Sequence, residues 1–176
     1  MLKYIIMRYL LLFFILIVNL SAISDEKISS KQILFFGKFH NFIKWSAEKR
    51  NSSKFVIGVL GYNPFGEKLS DYYKERLISN RSVDVIEIQT LDEIKKCHIL
   101  FISQSVYALD EVLEASRGKG VLLISFQNGW AEKGVHLNYY IQNDRLKFEL
   151  NPYASKRDNV IFRTSLIRAM RVVGVP

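Results

Sequence analysis

Apolar and polar positions follow two rhythms along this chain, one helical and one of strands. From Gln32 to Lys49 the apolar residues Ile33, Phe36, Phe39, Ile43 and Ala47 recur three and four apart, with Leu34, Phe35 and Phe42 widening the stripe. That spacing predicts one helix, buried over much of its circumference and ended by Asn51-Ser-Ser. Phe55 to Leu60 is a continuous apolar run with β-branched residues, as expected of a strand covered on both faces. Asn63-Pro64 supplies an N-cap and a proline at the first helical position, predicting a helix to about Leu77.

The same unit then recurs. Val83 to Ile88 alternates in part and reads as a second strand, and Thr90-Leu-Asp-Glu93 is a capping box opening a short helix to Lys96. Ile99 to Ile102 is a third strand; Ser105 can cap a helix to about Ser116, stopped by Arg117-Gly-Lys-Gly120; Val121 to Phe126 is a fourth strand. The end of the chain changes character. His136 to Ile141 and Leu146 to Leu150 flank the polar turn Gln142 to Arg145, an antiparallel hairpin. Asn151-Pro152 repeats the cap-and-proline device, and helical spacing resumes from Ser165 to Met170. Strands alternating with helices predict a single α/β domain. Its sheet should be mostly parallel, with helices on both faces and a C-terminal antiparallel hairpin.

The first residues need a separate account. Lys3 and Arg8 precede an uninterrupted apolar run from Tyr9 to Val18, and small residues follow at Ser21, Ala22 and Ser24. This is the layout of a cleaved signal peptide over residues 1–24. A membrane-spanning helix needs about 20 apolar residues, and the stretch from Tyr9 to Leu20 is shorter and contains Asn19. Cleavage after Ala22 or after Ser24 both fit, so the mature chain should begin at Ile23 or Asp25, with a polar leader over 25–31 and the domain over 32–176. Export across the inner membrane is expected.

Charge sharpens the picture little. The whole chain carries +8; loss of Lys3 and Arg8 takes Lys+Arg from 25 to 23 against 17 Asp+Glu, leaving about +6. A basic surface suits an acidic partner or anionic headgroups. No nucleic-acid-binding motif is present. The single cysteine, Cys97, has no partner within the chain for a disulfide, and its apolar surroundings predict a buried thiol.

Candidate chemistry is sparse. Gly61-Tyr-Asn-Pro-Phe-Gly66-Glu67-Lys68 departs from a phosphate loop, because Glu67 stands where the lysine should be and no hydroxyl follows Lys68. His40, His98 and His136 are too scattered for a zinc site, and Cys97-His98 should point to opposite faces of a strand. No nucleophile elbow occurs. No catalytic residue, metal ligand or cofactor is implied, and the domain reads as a binding protein rather than an enzyme. Two features suit binding. Trp130, in the loop after the fourth strand, is a candidate interface anchor, and with Phe126 and Gly61 it could line a ligand site beyond the strand ends. Arg163, Arg168 and Arg171 fall at spacings of five and three, so they could share part of a helix face and pair with carboxylates.

Several segments, taken in order, resemble the YfiR family of periplasmic proteins. They are Ile33 to Trp45 with Phe39 and Phe42, then Phe55-Val-Ile-Gly-Val-Leu-Gly61 with Pro64-Phe65-Gly66, then Cys97-His98-Ile-Leu-Phe-Ile-Ser103. Trp130-Ala-Glu with Gly134 and Asn138-Tyr139, and Leu146 with Phe148-Glu149-Leu-Asn151, complete the set. The resemblance covers roughly residues 30–173. It implies an exported, often dimeric α/β domain that binds and represses the periplasmic sensor domain of an inner-membrane diguanylate cyclase, lowering cyclic-di-GMP and biofilm formation. An outer-membrane lipoprotein antagonist relieves that block in the family. Other members are fused to sensor kinases, so a ligand-binding sensory domain acting on another membrane signalling protein is the alternative. This sequence departs from the pattern in having only Cys97, and Val135 in place of a second glycine beside Gly134.

Overall fold

Five consecutive strands build the parallel part of the sheet: β2 (Phe55–Leu60), β3 (Val83–Ile88), β4 (Ile99–Ile102), β5 (Leu122–Ser125) and β6 (Leu137–Gln142). They come from a computed structural model that describes residues 30–142 and 145–174. β7 (Arg145–Leu150) returns antiparallel beside β6, and β9 (Arg171–Val172) pairs parallel with β7, giving the order β3-β2-β4-β5-β6-β7-β9. A separate antiparallel pair joins β1 (Ile43–Lys44) to β8 (Ile161–Phe162). The expected fold is therefore observed. The expected signal peptide and most of the leader lie outside the described residues.

The central strands read as unbroken apolar runs because each is covered twice. Every residue of β4 and β5 is buried. Ile99, Phe101, Leu122 and Ile124 point to one face, where the helix α1 over residues 30–39 delivers Ile33, Phe36 and Phe39. Leu100, Ile102 and Leu123 point to the other, against Leu109, Val112 and Leu113 of α4 (Leu109–Ser116). Each such large side chain contributes roughly 1.5–3 kcal/mol by leaving water. The capping box at Thr90 forms as expected, opening a 3-10 turn at Leu91–Lys96. Asn151 caps α6 (Pro152–Arg157) by accepting from Ala154 N–H at 2.9 Å.

Three boundaries differ from the sequence reading. The single helix expected from Gln32 to Lys49 is interrupted: α1 stops at residue 39, a 3-10 turn covers His40–Phe42, and Ile43 turns extended to pair with Phe162. A new helix, α2 (Ala47–Asn51), then starts under its own cap, Ser46 accepting from Lys49 N–H. Pairing with β8 overrides the helical periodicity, which Ile43 satisfies only in keeping to the same core. Next, Asn63 accepts from Phe65 N–H and makes a turn, so α3 (Lys68–Tyr73) starts later and ends sooner than expected. Likewise Ser105 does not cap α4; its hydroxyl accepts from Tyr62 N–H at 2.7 Å.

Cys97 sits fully buried just before β4, and burial pushes its thiol up to about 12. Gly58 on β2 lies over it so closely that a Cβ there would stand 2.5 Å from the sulfur. We expect Cys97 to resist a thiol reagent in the native protein and to react stoichiometrically after denaturation. Fast native labelling would contradict the burial. Cys97→Ser should cost roughly 1–3 kcal/mol if its hydroxyl gains no acceptor, measurable by urea unfolding.

Candidate functional site

At the amino ends of β2, β3 and β4 the chain builds a basic groove. The two-residue pairing of β1 with β8, extended by Arg163 N–H donating to Phe42 O at 2.8 Å, brings Arg163 beside Lys44. α2 adds Arg50, and the turn before β3 adds Ser79 and Arg81. Together with His40 and Trp45 these enclose a cavity of about 450 Å³. Four of its lining residues are Lys or Arg, and none is Asp or Glu.

The groove's floor is rigid. The Trp45 ring meets Phe55 edge-on at 5.9 Å, and its Nε1–H donates to His40 O at 3.3 Å. Arg81 donates to Lys49 O at 2.7 Å and to Ser52 Oγ at 2.8 Å, with its guanidinium 5.4 Å from the Phe55 ring centre. Burial lowers the Arg81 pKa, yet a guanidinium stays charged in any protein setting. Lys44, Arg50 and Arg163 are exposed, and they form no ion pair among the described residues. Unneutralised cations around a walled cavity raise its potential and draw in anions.

Beneath this floor His98 is a structural residue. Its ring stacks on Phe55 at 4.4 Å. Nδ1 accepts from Val56 N–H at 3.0 Å, which places the ring proton on Nε2, where it donates to Lys49 O at 2.9 Å. Cys97 and His98 do point to opposite faces, as expected. His136 and Asp158 look at first like part of a catalytic triad, with Nε2 donating to Oδ2 at 3.0 Å. But His136 Nδ1 already accepts from Leu123 N–H at 3.2 Å, and both side chains are fully buried. No lone pair is left to act as a base.

The sequence-expected site residues scatter. Trp130 is not an exposed anchor: Gly129 in a left-handed turn (φ 76°) opens the short helix α5 (Trp130–Lys133) and folds the ring back, so that it packs against the α4 face of the core at 8% exposure. Arg163, Arg168 and Arg171 do not share a helix face. The last helix, α7, covers only Thr164–Ala169; Arg163 precedes it, and Arg171 lies on β9 with Nη1 2.9 Å from Glu149 Oε1. Arg168 is exposed. Gly61 and Phe126 are not brought together, since β4 lies between the strands they follow. Phe126 stacks on Phe101 at 5.3 Å. Gly61, with φ 84°, is closed over by Ser105 and Val106, and lines a separate cavity. Of those residues only Arg163 enters the basic groove. Lys44, Arg50 and Arg81 gave no local signal, because they are far apart in sequence and no charge run marks them.

Among solved structures, the chain is similar to the ABC domain in complex with L-Trp from Streptococcus pneumonia. The identity is 10%, over 68% of this chain and 55% of that one, with a TM-score of 0.49. That likeness is too distant to carry an argument, and the match spans little more than half of that protein. No curated protein matches the chain in sequence. The sequence profile described as YfiR/HmsC-like matches residues 29–169, nearly the whole of the folded part. The chain belongs to the YfiR/HmsC-like family.

Proposed function

We propose that this domain is a non-enzymatic periplasmic regulator that binds and represses the sensor domain of an inner-membrane diguanylate cyclase, lowering cyclic-di-GMP. Family membership supports the class of function. The observation that carries the contact is the groove of Lys44, Arg50, Arg81 and Arg163, which fits an acidic surface on the partner. Exposed Arg168 extends the same basic character, while Arg171 is engaged by Glu149. Export by residues 1–24, self-association as a dimer and relief by an outer-membrane lipoprotein belong to the same proposal.

A second reading has one observation in its favour. A cavity of about 450 Å³ falls within the ~300–1,000 Å³ of small-molecule sites. On that reading an anionic metabolite fills the groove and the domain acts on another membrane signalling protein.

The test pairs binding with signalling. Lys44→Glu/Arg163→Glu, both at exposed positions, should leave the fold intact by circular dichroism. The double reversal should weaken binding to a cyclase periplasmic domain at least about tenfold, with a flatter salt dependence than the native protein. Deleting the native gene should raise cyclic-di-GMP, restored by the native protein and poorly by the reversal. If the folded variant binds and restores normally, the groove is not the contact. A thermal shift with anionic metabolites that the reversal abolishes, without any effect of deletion on cyclic-di-GMP, would install the second reading.

A further inference from the structure

At the far edge of the sheet, β3 pairs only with β2 among the described residues, so a row of its main-chain N–H and C=O groups is left open. Natural edge strands are guarded by charged side chains, lysine above all, by proline, by bulges or by a covering element. β3 has no lysine, proline or bulge, and its only charges are the acids Asp84 and Glu87: its sequence is Val83-Asp-Val-Ile-Glu-Ile, paired to β2 in unbroken register over six residues. Two cavities instead run beside it, between the strand and α3. One, of about 550 Å³, is lined by Tyr62, Asn63, Glu67, Val85 and Glu87; the other, of about 520 Å³, by Lys54, Asp71, Lys74, Val83 and Asp84. Ser70 and Val85 line both, so the two form one trough along the strand.

The charges along this trough are uneven. Asp84 is already held by Lys54, with Nζ 2.9 Å and 3.0 Å from its two oxygens. Among the described residues Glu87 meets only the side-chain amide of Asn63, at 3.3 Å, and the lining of the cavity it shares with Glu67 includes no lysine or arginine. Tyr62, at 71% exposure, stands over the same end. In a chain of net charge +8, this is a local anionic pocket at the end of an open strand edge.

We propose that the free edge of β3 is a strand-addition site for an extended segment of a partner protein, with a lysine or arginine of that segment seated between Glu67 and Glu87. Main-chain hydrogen bonds supply affinity in such additions, and side-chain pockets supply selectivity. The tyrosine ring adds a face on which the cation can rest. A second copy of this chain fits poorly. Its own β3 would bring two more carboxylates, Asp84 and Glu87, and no lysine or arginine to seat between Glu67 and Glu87. The surface is separate from the basic groove and stands whether or not the groove binds a cyclase.

Panning a display library of random dodecapeptides against the full chain tests this. Selected peptides should alternate β-branched residues, carry a lysine or arginine, and slow amide exchange at residues 83–88. N-methylation at every second peptide residue should abolish binding. Glu67→Lys/Glu87→Lys, both exposed and expected to keep the fold, should weaken binding at least tenfold. The proposal is overturned if no such peptides emerge, if they protect residues elsewhere, or if the charge reversal leaves their affinity unchanged. Protection of residues 83–88 that grows with protein concentration alone would assign the edge to a second copy, and overturns it too.

Discussion

Between pH 6.5 and 4 the domain is expected to lose about 3 kcal/mol of stability through one side chain, His98. Burial pushes its imidazole down to about 4 from the usual 6.5. The ring is 1% exposed, packed between Phe55 and Trp45, and faced by two cations, Arg81 and Lys49. Its Nδ1 is committed to Val56 N–H, so a second proton would break that bond as well as face those charges. In the unfolded chain the same ring takes its proton near pH 6.5. Across this window the unfolded state therefore binds more protons, and stability falls as pH falls. Each unit of separation is worth about 1.4 kcal/mol, which sets the total. His98→Asn supplies an oxygen for Val56 N–H without a titrating group. Urea unfolding at pH 7.5, 5.5 and 4.5 should show a shallower loss in the variant. Some slope must persist, because burial also lowers His136. Equal losses in the variant and the native protein would remove His98 as the cause.

The features legible in the sequence are those set by strictly local or doubly redundant signals. Ile99–Ile102 can be read because a strand covered on both faces is apolar at every position. Thr90 with Glu93, and Asn151 with Pro152, can be read because a cap is made by side chains within one turn of the helix end. The break in the first helix is invisible for the opposite reason. Ile43 keeps its helical spacing and its place in the core, and only a two-residue pairing with β8, distant in sequence, makes it extended. That same pairing assembles the basic groove. Its residues run from His40 to Arg163, so no window of sequence contains the site. Trp130 reads as a loop anchor in the sequence, and one left-handed glycine before it folds it onto the core. For Arg171 a three-residue spacing, which points to a helix, is all the sequence offers; its salt bridge to Glu149 depends on β9 lying beside β7.

Asp158→Ala should be the most damaging polar substitution in the described domain, costing about 3–5 kcal/mol. The Asp158 carboxylate is wholly buried at the end of α6 and binds at both oxygens. Oδ2 accepts from His136 Nε2 and from Arg157 Nη2, each at 3.0 Å, and Oδ1 accepts from Arg157 Nε at 3.0 Å. Burial pushes the carboxyl up, but the bonds from His136 and Arg157 outweigh it and hold it at about 2. The group is therefore an anion and His136 is neutral, a division that satisfies both inside one cavity. Alanine would leave the His136 Nε2–H with no acceptor in the core and would free Arg157. Arg157 is half exposed and can turn to water; His136 cannot. The cost thus falls mainly on the histidine, so His136→Phe in the Asp158→Ala background should add less than it does alone. That non-additivity is the signature of a shared network. The double variant still orphans Leu123 N–H, which keeps it below the native protein. Thermal unfolding at pH 7 should show a fall of roughly 6–20 °C for Asp158→Ala, at the 2–4 °C per kcal/mol usual for domains of this size. Strictly additive losses in the two single variants and the double would mean that His136 and Asp158 act separately.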